Sequence, residues 1–235
     1  MKSTLVILTL NEIEGVRAIF PKIPLQQVDE VFVVDGGSTD GTIEFFKEKG
    51  MRVIVQEVRG RGEAFRIATR EAQGEHLVFF SPDGNEDPND IPRLLKLLED
   101  GCDMAIASRF LKGSRNEEDQ QFLKFRRWAN RAFTRTADLL WRGRISDTIN
   151  GYRAVRKQAF IRMAVDAPGF VIEYQMSIRA MKLRLKVAEI PTQEGNRIGG
   201  ESKAKSIPTG LIFLKVLWRE LWIGNRFGEV LRRHT

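Results

Sequence analysis

HLVFFSPDGNEDPND, residues 76–90, decides the reading of this chain. The apolar run Leu77-Val78-Phe79-Phe80 is short enough to be a buried strand. Ser81-Pro82 ends it, because proline cannot donate to a central ladder. Asp83, Asn85, Glu86 and Asp87 follow at once. Acidic and amide side chains just past the carboxyl end of a buried strand lie where an open α/β sheet holds its ligand. Hard oxygen ligands this close together suit Mg²⁺ or Mn²⁺ beside a substrate phosphate. A solvated acidic turn capping a helix that begins near Asp90 has the same composition, so the stretch alone leaves both readings open.

Working outward, 235 residues with 42% hydrophobic content suit one large α/β domain, or a domain with an appendage. The single cysteine, Cys102, excludes an internal disulfide and a cysteine-rich metal site. A net charge of +7 points to an anionic partner: nucleic acid, a phosphorylated substrate or an anionic membrane. The apolar part of MKSTLVILTLNE is too short for a signal peptide. No stretch reaches the roughly 18–20 apolar residues that span a bilayer. The longest candidate, Leu211 to Ile223, is broken by Lys215, Arg219 and Glu220. The expectation is a cytoplasmic chain, or one lying on the cytoplasmic face of a membrane.

Strands are expected at Thr4–Thr9, Val31–Val34, Met51–Gln56, Leu77–Phe80, Asp103–Ala107 and Lys186–Pro191. Helices are expected between them, with two more at Val155–Val165 and Phe170–Leu183. This alternation predicts an α/β protein with a mostly parallel open sheet flanked by helices. The second strand ends in Asp35-Gly36-Gly37-Ser38-Thr39-Asp40-Gly41-Thr42, a glycine-rich turn into a helix N-terminus. Asp35 at its tip can accept hydrogen bonds from a base or ribose. Arg59-Gly60-Arg61-Gly62 suits a diphosphate. No G-x-G-x-x-G follows the first strand, which argues against a typical dinucleotide fold.

Seven motifs occur in register: T-L-N-E at Thr9–Glu12, V-V-D-G-G-S-T-D-G-T from Val33, the R-G-R-G turn, A-Q-G-E from Ala72, P-D-G-N-E-D-P from Pro82, D-T-I-N-G-Y-R-A from Asp147, and R-I-G-G-E-S-K from Arg197. Over about residues 3 to 205 the chain resembles a family 2 glycosyltransferase of the GT-A (Rossmann-like) fold. Its last two motifs are similar to those of the polyprenyl-phosphate group, that of dolichol-phosphate mannose synthase. The resemblance implies an inverting transfer of sugar from a nucleotide diphosphate (GDP-mannose or a UDP-sugar) to a polyprenyl or dolichyl phosphate. It implies a nucleotide-sugar site at Thr9, Asn11, Glu12, Asp35, Gly37, Arg61, Asp83, Arg197, Ser202 and Lys203. It implies acceptor-phosphate contacts at Arg109, Lys124, Arg127, Arg131 and Arg153, and catalytic roles for Asp83, Asp147 and Arg197. Glu173 matches a family carboxylate near the site. Mg²⁺ or Mn²⁺ would be held by Asp83 and Asn85.

This sequence departs from the family's D-x-D-x-Q metal pattern. Ser81 stands at the first aspartate and Asn85 at the glutamine, while Asp83 is kept. Gly36 replaces the second aspartate of V-V-D-D-G-S. The alternatives are a transferase with a sugar hydroxyl acceptor, for surface polysaccharide or glycolipid, and a non-catalytic nucleotide-sugar binding module. With a phosphate acceptor Asp147 orients groups; with a hydroxyl acceptor it is the base candidate.

Phe122 to Arg144 carries seven basic residues and one acid, Asp138, interleaved with Phe122, Phe125, Trp128, Phe133, Leu139, Leu140 and Trp141. That composition fits a membrane surface; with no RNA-binding module in the sequence, no nucleic-acid partner is expected. Residues 206–235 are expected to form an amphipathic helical tail beside a 1–205 transferase domain. Ile207, Leu211, Leu214, Trp218 and Leu221 share one helical face, extended by Leu217 and Trp222. That face would lie on the membrane, pair two copies, or meet a membrane-protein partner.

Overall fold

Apolar runs without interior polar breaks become strands covered on both faces. Ser3–Thr9 (β1) is buried along its whole length, as is His76–Phe80 (β4). The structure is a computed structural model describing residues 1–115, 125–199 and 206–227. Lys124, Ser202, Lys203, Phe122 and the last eight residues of the expected tail lie outside the described residues. The remaining strands are Glu30–Asp35 (β2), Val53–Val55 (β3), Met104–Ser108 (β5), Arg153–Arg156 (β6) and Val187–Pro191 (β7). They form one seven-stranded sheet in the order β3-β2-β1-β4-β6-β5-β7. Every pairing is parallel except those of β6, which runs antiparallel to β4 and β5.

The strand period of two divides the core. Leu5, Ile7, Val33, Val78, Phe80 and Ala105 face Ile13–Ile19 (α1), Thr42–Glu48 (α2) and Asp90–Glu99 (α4). Val6, Leu8, Phe32, Leu77, Phe79 and Ile106 face Arg61–Glu71 (α3), Phe125–Trp141 (α5), Lys157–Met163 (α6), Ile172–Lys182 (α7) and Ser206–Ile223 (α8).

β6 corrects the expected helix at Val155–Val165. Four residues are too few to display a period, and Val155 is held opposite both Leu77 and Met104. Tertiary pairing sets the conformation there, and the helix starts at Lys157. Because β6 is reversed, the segment leading into it lies at the same sheet edge where β1, β2, β4 and β5 end.

One face of α8 is part of the core. Phe213 meets Phe133 of α5 and Tyr174 of α7, with ring centroids 5.2 Å away from each. Leu217, expected on the outer stripe, is buried. Glu220 is fully buried and accepts from Arg179 Nε (3.0 Å), Gln175 Nε2 (2.9 Å) and Lys182 Nζ (2.7 Å). Asp166, before α7, pairs with Arg219 and Arg179. The other face carries Leu211, Leu214, Trp218, Leu221 and Trp222 to the surface, with Trp218 69% and Trp222 86% exposed. Among the described residues no helix is long and apolar enough to cross a membrane.

Glu220→Ala removes the shared anion of two buried cations and leaves Lys182 without this ion-pair partner, so it should cost about 3–5 kcal/mol in urea unfolding. Burial raises the Asp166 carboxyl, but hydrogen bonds from Arg219 and Gln175 and the nearby guanidinium charges outweigh it and hold it at about 2, below its ordinary 3.8. A depressed carboxylate stabilises the fold above its unfolded pKa, and the contribution fades as pH falls toward the folded one. Asp166→Asn should therefore lose on the order of 2 kcal/mol at neutral pH and show a shallower decline between pH 4 and 2.

Candidate functional site

The edge where the parallel strands end carries almost every residue singled out above. Asp35, at the end of β2, is fully buried. Its carboxylate accepts from Thr9 Oγ1 (2.7 Å), Gly37 N (2.8 Å), Ser38 N (2.6 Å) and Ser38 Oγ (2.7 Å). Four donors use its lone-pair sites. Asp35 and Thr9 therefore shape the glycine turn and present no group to a base or ribose, which corrects that expectation. Asn11 closes the same turn: its N–H donates to Ser38 Oγ and its Oδ1 accepts from Thr39 N, both at 2.8 Å. Exposed Arg59 donates from Nη2 to Gly37 O (3.3 Å).

At the end of β4 three segments meet. Asp83 Oδ1 accepts from Asn85 N (3.0 Å), and Asp83 Oδ2 lies 2.6 Å from Arg197 Nη2. Arg197 Nη1 lies 3.4 Å from Glu12 Oε1. The loop carrying Arg197 is docked by backbone bonds from Ile198 N to Asp83 O (2.7 Å) and from Gly195 N to Asn85 O (2.9 Å). Gly15 of α1 fits beneath: a Cβ there would lie 2.7 Å from Pro82 O and 3.1 Å from Ile198 O. Gly84 has φ +95°, open to glycine alone at low cost, and a Cβ would strike Ile198.

Arg61, the first residue of α3, turns inward. It pairs with Glu173 of α7 and donates from Nη1 to Ser81 Oγ (3.2 Å). Burial opposes its charge, but Glu173 and Glu86 raise its pKa nonetheless. Glu86 folds back, its Oε2 accepting from Ser81 N at 2.7 Å. Burial pushes the Glu86 carboxyl well above the ordinary carboxylate range; Arg61 opposes this and Asp83 reinforces it.

Beyond β5, Arg109 and Asp147 form a two-pronged pair, Nε to Oδ2 at 2.7 Å and Nη2 to Oδ1 at 3.0 Å. Asp147 is fully buried and also accepts from Ile149 N and Asn150 N. Burial raises its pKa, but Arg109 brings it below the ordinary value. A low-pKa carboxylate so committed is a poor base and a good clamp. Arg131 of α5 stacks over Phe110, as does Arg109, at 5.2 and 5.6 Å. Arg127 lies on the same helix.

Arg153 is not an acceptor-phosphate residue. It is fully buried, and its guanidinium donates to Asn150 O, Glu173 O (3.0 Å) and Ser177 Oγ (3.3 Å). Burial lowers its pKa to about 10.

The profile of glycosyl transferase family 2 matches residues 4–163. The chain belongs to this family. The family 2 glycosyltransferase is 29% identical to "Glycosyltransferase AglJ" of Haloferax volcanii over 94% of this chain and 74% of that protein. It is 31% identical to a dolichol-phosphate mannosyltransferase of Pyrococcus furiosus over 96% of this chain, and spans 65% of that relative's length. Its fold matches the glucosyl-3-phosphoglycerate synthase of Mycobacterium tuberculosis, crystallised with Mn²⁺ and uridine-diphosphate-glucose. That match has a TM-score of 0.71 at 20% identity and covers 92% of this chain and 76% of that one. The sheet and its flanking helices are those of the GT-A fold.

The structure gives new weight to two residues of stretches quoted above. Arg59 is the exposed arginine of R-G-R-G, whereas Arg61 is committed to Glu173. Glu86 lay inside the quoted acidic run, but nothing in the sequence signals its turn back to Ser81.

Gly15→Ala should wedge α1 away from the junction, at about 1–3 kcal/mol. Hydrogen exchange should show the Ile198 and Gly195 amides losing protection while the amides of β1 and β4 keep theirs. Unchanged protection at Ile198 would mean the loop is held by other contacts.

Proposed function

We propose that this glycosyltransferase moves a sugar from a nucleotide diphosphate donor, GDP-mannose or a UDP-sugar, to a polyprenyl phosphate. One observation carries the reading: two guanidinium–carboxylate clamps, Arg197 on Asp83 and Arg109 on Asp147, stand at one sheet edge. Two anionic substrates, a diphosphate and a phosphate monoester, are what two such clamps suit. The 31% identity to a dolichol-phosphate mannosyltransferase supports the acceptor.

The donor diphosphate would lie against the Asp35–Thr42 turn, within reach of Arg59 and Arg197, with Ser202 and Lys203 assigned to the same loop by the resemblance. Among the described residues no three His, Cys, Asp or Glu side chains gather into a cage. The donor set therefore fits a divalent ion arriving with the diphosphate, held on the protein side by Asp83 and Asn85. Mg²⁺ or Mn²⁺ there would supply Lewis-acid stabilisation of the leaving diphosphate. Arg109, steadied by Asp147, would hold the acceptor phosphate with Arg127, Arg131 and Lys124. An oxygen of that phosphate attacks the anomeric carbon. The bond from that carbon to the diphosphate breaks, and its electron pair leaves with the nucleoside diphosphate. The attacking oxygen is already ionised near neutral pH, so no base is needed. A hydroxyl acceptor would need one, and the oxygens of Asp147 are committed.

The enzyme would work as a peripheral protein on the cytoplasmic face of a membrane. The exposed sides of α5 and α8 support this: Trp128, Leu139 (82% exposed), Trp218 and Trp222 stand out among Arg135, Arg142 and Lys215. The helix α8 would then be both core element and membrane contact. The double variant Trp218→Ser/Trp222→Ser should co-sediment less with anionic vesicles while keeping its unfolding midpoint. Equal sedimentation would remove α8 from the membrane contact.

The direct test incubates the protein with Mn²⁺, a nucleotide-sugar panel, a short polyprenyl phosphate and sugar-hydroxyl acceptors. Sugar on the lipid phosphate is expected; transfer only to hydroxyls, or binding without turnover, would overturn the reading. Asp83→Ala should lower kcat about a thousandfold or more in a folded protein. Arg109→Lys keeps a charge for Asp147 but loses the fork. It should raise the acceptor KM by about tenfold or more, leaving the donor KM within about twofold.

A further inference from the structure

Ser81 leaves the ion site one carboxylate short of the family pattern, and the structure holds another carboxylate over that position. Glu86 lies five residues further on, yet its Oε2 is 2.7 Å from the Ser81 backbone nitrogen. The turn that brings it back is fixed by Gly84 in the left-handed region and by the bond from Asn85 N to Asp83 Oδ1. Glu86 and Asp83 interact electrostatically with each other and with Arg61. Glu86 as a whole is partly exposed, while burial of its carboxyl group is the main cause of its raised pKa.

The surroundings point to an incoming cation. Arg61 donates to the Ser81 hydroxyl and pairs with Glu173 through Oε1. Glu173 is 2% exposed, and its Oε2 has no hydrogen-bond partner. Asp83 and Glu86 thus lie within electrostatic reach of one arginine, whose guanidinium is held from the other side by Glu173. Hard divalent ions take such oxygen donors, completed by phosphate and water.

We propose that Glu86 supplies the second carboxylate of the divalent-ion site, standing in for the acidic side chain that Ser81 lacks. The proposal rests on the transferase reading above and adds a ligand to it. Asp83 and Glu86 then approach the ion from two sides of the Ser81–Glu86 turn, and the donor diphosphate closes the shell. Arg61 is a positioning residue held by Glu173: it fixes Ser81 and keeps the like charges of the corner together.

The test is Mn²⁺ binding, followed by electron paramagnetic resonance of free Mn²⁺ titrated into the protein with UDP or with GDP. Glu86→Gln keeps an acceptor for the Ser81 N–H and should weaken Mn²⁺ binding at least tenfold, with an unchanged unfolding midpoint. Adding Ser81→Asp to that variant should restore affinity to within about threefold of the parent, and Ser81→Asp should raise affinity more in the Glu86→Gln background than in the parent, a non-additivity that a merely structural Glu86 would not give. Binding by Glu86→Gln equal to the parent, or failure of Ser81→Asp to rescue, overturns the assignment. If Glu86→Gln does not fold, Glu86→Asp decides: it keeps the charge but withdraws the oxygen, and should bind at least fivefold more weakly, equal binding again overturning the proposal. Parent protein that binds no Mn²⁺ with either nucleotide would instead overturn the metal reading of the whole site.

Discussion

The ion pair between Arg197 and Asp83 is the contact on which the site depends. It joins the loop after β7 to the end of β4, and Glu12 at the start of α1 holds the same guanidinium from the other side. Arg197 and Asp83 are three-quarters or more buried, so either charge alone would be costly there. Together they close the cleft over the turn that carries Asn85 and Glu86. In the reaction proposed above, a dianionic diphosphate and a divalent ion arrive together. The first can take Arg197 and the second Asp83, so the pair is exchanged for two new ones with little change in net buried charge. The loop that carries the arginine is docked through the Ile198 and Gly195 amides.

The helix α7 connects this site with the distal end of the molecule. Its first turn holds Glu173 against Arg61, and its last turns place Arg179 and Lys182 on Glu220 of α8. One helix thus carries ion pairs to the candidate site at its start and to the buried face of α8 at its end.

Much of the fold was legible because its cause is local. The strands β1, β2, β4 and β5 are continuous apolar runs, and each ends in glycine, proline or a polar cluster. β6 was not legible: its four residues carry no period, and its place is set by partners far away in the chain. In the site, Asp83, Glu12 and Arg197 could be named from motifs, and the structure brings them within one cluster. Asp35, Thr9 and Arg153 could be named but not understood, because a sequence does not say whether a polar group faces the cleft or is used up inside. Asp35 is spent on its own turn, and Arg153 on the carbonyls around Asn150. Asp147 has two possible roles in the sequence, and the donors on its oxygens favour the orienting role proposed above. Arg59 and Arg61 look alike in R-G-R-G; only the position of Glu173, 112 residues after Arg61, tells them apart.

With Asp35 and Asp147 committed to internal donors and Asp83 to Arg197, no carboxylate among them is left to form a covalent sugar intermediate. In the reaction proposed above, transfer would be a single displacement by the acceptor phosphate. The configuration at the anomeric carbon of the product tests this most directly, read from proton and phosphorus couplings in the NMR spectrum of the isolated sugar–lipid. A sugar linked through phosphate with its anomeric configuration inverted relative to the donor is the predicted result. Retention of the donor's configuration would contradict it, because that outcome needs a second displacement and a nucleophile on the protein.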